Sequence, residues 1–283
     1  MVIAMMDSQM KKPAVIHVQD RSGEIWKRLN REAMDAQAHE PAMAAIIHTA
    51  ITGRTGFADS ICHVLAEELA TRQMDTLQLR DIIAESHKTD PSIVIAAQND
   101  LLAVLERDPA AKTMLVPFLF FKGFQVLQSY RVAHWLWRRE RKILAFHLQS
   151  RISRCFSVDI HPAAVIGQGV MLDHAHGIVV GETAVIEDNV SILHNVTLGG
   201  TGKEKGDRHP KIRTGVMIGA GAKILGNIEI GECARVAAGS LVLKDVPPHV
   251  TVAGVPARVM GTAGSDSPAK DMDQTLGDEG SSI

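Results

Sequence analysis

Side chains able to move protons gather between residues 161 and 209: His161, the run Asp173-His174-Ala175-His176, His194, and the run Asp207-Arg208-His209. A neutral imidazole within hydrogen-bond reach of a hydroxyl can take its proton, an effect worth about 10²–10⁴-fold in rate. A carboxylate or carbonyl must hold the ring in one tautomer. Asp159 lies 15 residues before His174. Arg208 offers a planar fork suited to a carboxylate. Plainer readings stand beside these. His174 could be a solvent-facing histidine, His161 and His176 structural or surface residues, His194 a position where other residue types would serve, and Asp108 before Pro109 only a helix terminator. Cys62, Cys155 and Cys233 are widely spaced and form no CxxC pair, as in a cytoplasmic protein with reduced thiols. Cys155 and Cys233 read as small apolar fillers.

The elements that must position these residues are written in a six-residue period. Ile160, Ile166, Leu172, Ile178, Ala184, Val190 and Val196 are spaced by six, and so are Ile212, Ile218, Ile224, Ile230, Val236 and Val242. Six is even, so these positions share one strand face, which a period of 3.6 would not allow. The pattern predicts a parallel β-helix in which three hexads make one triangular coil, about 18 residues per rise of roughly 4.8 Å. Glycine follows Ile166, Ile218 and Ile230, which suits turns needing positive φ. Between the two runs the segment Gly199–Lys211, GGTGKEKGDRHPK, exceeds the period and must loop out of the coil. Composition agrees. All 11 aromatic residues lie between Trp26 and Phe156, whereas 19 of the 23 glycines follow residue 156, so the interior of the second part must be narrow and aliphatic.

The first part reads as helical, over 24–37, 57–72, 75–88, 92–107 and 117–149, with Ser92 as an N-cap after Pro91. A formal net charge of −2 gives no global reason to bind nucleic acid or an anionic membrane. The basic stretch Arg131–Arg154 reads chiefly as a solvated face or subunit contact. No apolar run approaches 18 residues, and the N-terminus has no signal-peptide pattern. The expected organisation is a flexible extension at 1–21, a helical domain at 22–156, a β-helix at 157–261 with its inserted loop at 199–211, and a flexible tail at 262–283.

Val158-Asp159-Ile160-His161-Pro162, Leu172-Asp173-His174-Ala175, Gly177–Thr183, Val196–Lys203, Gly206–Lys211 and Ala253–Ala257, with Arg107-Asp108-Pro109 and Lys122-Gly123-Phe124 in the helical part, resemble the hexapeptide-repeat acyltransferases. Within that group the resemblance is to serine acetyltransferases, from about Ser92 to Met260. It implies an α-helical domain followed by a left-handed parallel β-helix. The implied reaction is transfer of acetyl from acetyl-CoA to L-serine, the first step of cysteine biosynthesis, directly and without a metal. By the same resemblance His174 is the base, Asp159 its dyad partner and His209 a second active-site histidine. Asp108 and Asp173 receive the serine ammonium, and Arg208 its carboxylate. Gly200, Ala220, Arg235 and Ala238 match cofactor positions, with Lys203 and Lys205 as alternative phosphate contacts. The resemblance further implies a homotrimer, paired into a hexamer through the helical domains, inhibition by L-cysteine in the serine site, and docking of the C-terminal Ile283 into cysteine synthase. Two alternatives stand beside it: a β-helix carbonic anhydrase with zinc on three histidines, and a scaffold that only binds cysteine synthase through its tail.

Overall fold

The computed structural model describes residues 22–202 and 205–275. Lys203 and Ile283 lie outside the described residues. The helices are α1 (Ser22–His39), α2 (Ala44–Ile47), α3 (Phe57–Leu69), α4 (Thr76–Thr89), α5 (Ser92–Arg107), α6 (Leu115–Phe120), α7 (Lys122–Arg138), α8 (Lys142–Phe156) and, at the far end, α9 (Pro268–Asp271). A capping box starts α4: the Asp75 carboxylate accepts from Gln78 N–H while the Gln78 side chain accepts from Asp75 N–H. At α5 the N-cap is Pro91, not Ser92. Ser92 is the first helical residue, and its hydroxyl donates to the Asp90 carboxylate. The expected single helix over 117–149 is three helices. Phe121 is extended at φ −84°, and Glu140 turns the chain at φ +58°. Apolar periodicity continues through both breaks because α7 is buried all round, from Gly123 to Ala133.

From Asp159 the chain winds through strands of two or three residues into three parallel sheets of five, four and six strands, the last closed by an antiparallel hairpin, Val250–Gly254 with Ala257–Thr262. Three ladders of aliphatic side chains fill the interior: Ile160, Val180, Leu198, Ile224 and Val242; Ile166, Ile186, Ile212 and Ile230; Leu172, Ile192, Ile218, Val236 and Val252. These registers correct the reading of the period. Ile178, Ala184, Val190 and Val196 are buried, but they occupy a second inward position two residues before each ladder residue. The ladder runs Leu172 to Val180 and Leu198 to Ile212, so two extra residues enter at 173–178 and eight at the loop. The coil from Ile160 to Val180 therefore spans 20 residues rather than 18.

Gly167, Gly219 and Gly231 do not have positive φ. Close approach explains them: a Cβ at Gly219 would stand 2.5 Å from Ala238 N, and one at Gly167 2.3 Å from the Asp188 carboxylate. The left-handed residues come later in each corner, at Gly169, Gly221 and Cys233.

A buried polar cluster joins helices to coils. The Asp100 carboxylate of α5 accepts from Arg131 Nη2 at 2.6 Å and Nε at 3.2 Å, from Gln128 Nε2 at 3.0 Å and from the Val170 backbone N–H at 3.0 Å. Arg131 also donates to the carbonyls of Ile166 and Gly167. Arg131 thus belongs to the interior, not to the solvated face its basic neighbours suggest. Past Thr262 the described chain runs on to Thr275 through the short helix α9, which packs against the solenoid and α5. Ala263 and Ala269 are buried, the Ala269 carbonyl accepts from Ser191 Oγ at 2.7 Å, and Lys270 pairs with Glu106 of α5. Two small buried side chains and these polar contacts hold a segment whose composition is polar.

Candidate active site

The functional side chains stand at two corners of the solenoid. The first is the expanded corner Asp173–Ile178. His174 and Ala175 both have left-handed backbone, φ +53° and +57°, and this throws His174 outward, its side chain 78% exposed. A cleft of about 480 Å³ opens beside it, lined by Val104, Asp108, Phe121, Gly123, Asp173 and His174. Gly123 allows α7 to begin directly on the coil, since a Cβ there would lie 2.0 Å from the Leu172 carbonyl oxygen. Asp173 is half-buried. Burial raises its pKa, the neighbouring Asp108 carboxylate adds to the rise, and the His174 imidazole opposes it. Two acidic groups facing one cleft, one of them short of solvent, favour a cationic ligand between them.

The structure does not join His174 to Asp159. The residue stacked on Asp159 in the 20-residue coil is Val179, and the Asp159 carboxylate accepts a 2.6 Å bond from Gln149 Nε2 of α8. The carboxylate closest to His174 is its neighbour's, Asp173 Oδ1, at 4.0 Å from Nε2, too far for a hydrogen bond. The His194 ring stands edge-on to it, 5.9 Å between centroids. His194, Ala220 and Ala238 continue the same corner upward, coil by coil: Gly221 N–H donates to the His194 carbonyl and Gly239 N–H to that of Ala220. His174, Ala220 and Ala238 therefore share one column.

The second corner follows the five-stranded sheet at Gly181–Thr183, where the inserted loop returns. His209 is buried, with Nδ1 3.2 Å from Thr183 N and 2.9 Å from its Oγ. Burial and the Arg208 charge hold its imidazole below the usual histidine range. Arg208 Nη2 donates to Glu182 Oε2 at 2.7 Å, which keeps the Glu182 carboxyl below its ordinary range. Gly200 lies here, where a Cβ would be 3.3 Å from the Arg208 carbonyl. The corners occupy opposite ends of one sheet. Gly177 and Gly181 are four residues apart, about 13 Å by strand rise.

Arg235 belongs to neither corner. It points outward from the six-stranded sheet under the C-terminal segment, is buried, and donates from Nε to Thr251 Oγ at 3.1 Å and from Nη1 to the Asp273 carbonyl at 3.1 Å. Strand alternation puts it on a face that the tail covers, so it is not free to meet a cofactor in this arrangement. Among the described residues no three His, Cys, Asp or Glu side chains converge as metal ligands. Sequence reasoning gave Gln149, Glu182 and Thr183 no role. The signal for Thr183 is its place one coil beneath His209, which the loop's length hides.

A helical domain leading into coils of hexapeptide repeats, with imidazoles displayed at the coil corners, defines the hexapeptide-repeat acyltransferases of the left-handed β-helix class. Residues 25–129 match the N-terminal domain of serine acetyltransferase, and residues 209–244 match six bacterial transferase hexapeptide repeats. The serine acetyltransferase of Salmonella typhimurium is 54% identical over 250 residues, 88% of this chain and 92% of that one. A solved serine acetyltransferase in complex with cysteine superposes with a TM-score of 0.88 at 51% identity, over 89% of this chain and 98% of its own. That of Brucella abortus in complex with coenzyme A gives 0.85 at 49%, over 87% and 98%. The chain belongs to the serine acetyltransferase family, whose members are acetyl-CoA-dependent acyltransferases of cysteine biosynthesis.

Proposed function

We propose that the protein acetylates the hydroxyl of L-serine by direct transfer, with His174 as the base. The carrying observation is the pair Asp108 and Asp173 facing the cleft beside His174. The serine ammonium sits between the two carboxylates, which places its hydroxyl toward the imidazole. As the hydroxyl oxygen attacks the thioester carbonyl, His174 takes its proton. The tetrahedral intermediate collapses with cleavage of the C–S bond, and the departing thiolate receives that proton. The pantetheine arm runs along the column of Ala220 and Ala238, and Gly200 leaves room on the opposite corner. Acetyl-CoA is the co-substrate, as the coenzyme A complex of the Brucella relative supports; no metal takes part. The test is acetyl-CoA-dependent thiol release with L-serine against L-alanine, which lacks the hydroxyl. Release with serine alone is expected, and equal release with both would sink the reading.

The His174 and His209 corners are too far apart for one chain to close both on one serine. A threefold assembly that sets the His209 corner of one protomer against the His174 corner of the next completes the site, and the helical domains pair two such trimers. Arg208 then exchanges Glu182 for the serine carboxylate. L-Cysteine, which differs from serine by sulfur for oxygen, fits the same groups, as the cysteine complex of a relative supports. Cysteine is therefore expected to compete with serine, and Arg208→Ala to weaken its inhibition; unchanged inhibition in initial-rate assays would refute a shared site. The protein acts in the cytoplasm. Its C-terminal Ile283, whose carboxylate and aliphatic side chain suit capture in a pocket, docks into cysteine synthase. Deleting Ile283 is expected to leave acetyl transfer nearly unchanged while greatly weakening that complex in titration calorimetry. Equal affinities would leave the tail a solubilising one.

A further inference from the structure

Thr183 Oγ accepts hydrogen bonds from two backbone groups of the loop, Arg208 N–H at 3.0 Å and His209 N–H at 3.1 Å. Its lone pairs are thereby used, and its O–H is left for His209 Nδ1, 2.9 Å away. The Thr183 backbone N–H reaches the same Nδ1 at 3.2 Å. A backbone N–H can only donate, so Nδ1 must carry a lone pair. The proton of the neutral ring then sits on Nε2. The ring lies across Gly181, where a Cβ would fall 2.0 Å from both Nε2 and Cδ2. Gly181 does not have positive φ, so its missing side chain makes space for the imidazole. A second ring proton would set Nδ1–H against the Thr183 N–H. Burial and the Arg208 charge oppose it first, with Lys211 and His161 adding to them and Glu182 acting the other way.

We infer that Thr183 is a positioning residue that locks His209 as a neutral Nε2–H donor, aimed at the thioester oxygen and unable to serve as the base. The inference rests on the acetyl-transfer reading. When the serine oxygen bonds to the carbonyl carbon, the carbonyl π pair moves onto its oxygen. Nε2–H donates to that oxyanion without giving up its proton, and the hydroxyl proton goes to His174 alone.

Two measurements test this. In protein labelled with ¹⁵N-histidine, the signals lost in His209→Gln identify the ring. At neutral pH they are expected to show a protonated Nε2 and a bare Nδ1; a protonated Nδ1 overturns the inference. Thr183→Val keeps the backbone N–H and the side-chain shape but loses the hydroxyl. It is expected to lower kcat about 10–100-fold, the scale on which losing the orienting partner of a metal-bound histidine acts, with serine KM little changed, and Thr183→Ser is expected to restore most of the loss. An unchanged kcat in Thr183→Val overturns the positioning role. Should that variant not fold, the ring signals of the unmutated protein decide alone. Unmutated protein that fails to acetylate serine would remove the acetyl-transfer reading and leave the tautomer measurement intact.

Discussion

His174→Ala is expected to lower kcat for acetyl transfer by about 10²–10⁴-fold while the thermal transition stays where it was. The side chain is 78% exposed. Its removal opens no cavity and leaves no buried partner unmade, so beyond the small cost of alanine at a left-handed position no large destabilisation is expected. The loss falls on an interaction made as the proton leaves serine, so kcat and kcat/KM should drop together. Steady-state kinetics with both substrates varied, beside a melting curve, give both quantities. Near-normal turnover would mean that the proton leaves by another route, and His194 is the imidazole next to it.

The largest expected effect on stability lies elsewhere, at Asp100. Asp100→Ala strands the Arg131 guanidinium, whose side chain is 8% exposed, without its counter-charge. Breaking a buried pair from one side costs about 3–5 kcal/mol. The double variant Asp100→Leu with Arg131→Met removes both charges and should be much less damaged, since no uncompensated ion remains. Denaturant unfolding followed by the fluorescence of Trp26, Trp135 and Trp137 would measure both. A single variant losing under about 1 kcal/mol would show that the pair is not the anchor described. The substitution also frees the N–H of Val170, the residue just before the strand Met171–Leu172 that leads to Asp173 and His174, so serine KM is expected to rise in whatever protein still folds.

The hexad period and the lack of aromatics made the solenoid legible in the sequence, and the helical first half was legible from apolar spacing. The phase of the solenoid was not. Each coil side carries two inward positions, both taken by small aliphatics, and counting in sixes slid from Leu172 to Ile178 without a visible break. That slip hid the two extra residues at the His174 corner, and with them the reason Asp159 stacks on Val179. Arg131 and Arg235 show a second limit. Both are buried cations whose partners, Asp100 and the Asp273 carbonyl, lie 31 and 38 residues away, and composition cannot report such pairings. Thr183 stood inside a motif already noticed, yet its role needs the register that sets it beneath His209.

The departures from the period all fall at corners: two residues added at the His174 corner, eight added at the His209 loop, and two fewer between Val242 and Val246. A change of length at a corner lies between strands, so Val180, Ile212, Val246 and Val252 are still buried along the axis. The corners thus behave like ports in a threaded rod. Length and chemistry can be added at a port while the thread beyond it still engages, which lets the chain carry two unlike reactive groups on a scaffold whose interior never registers their presence.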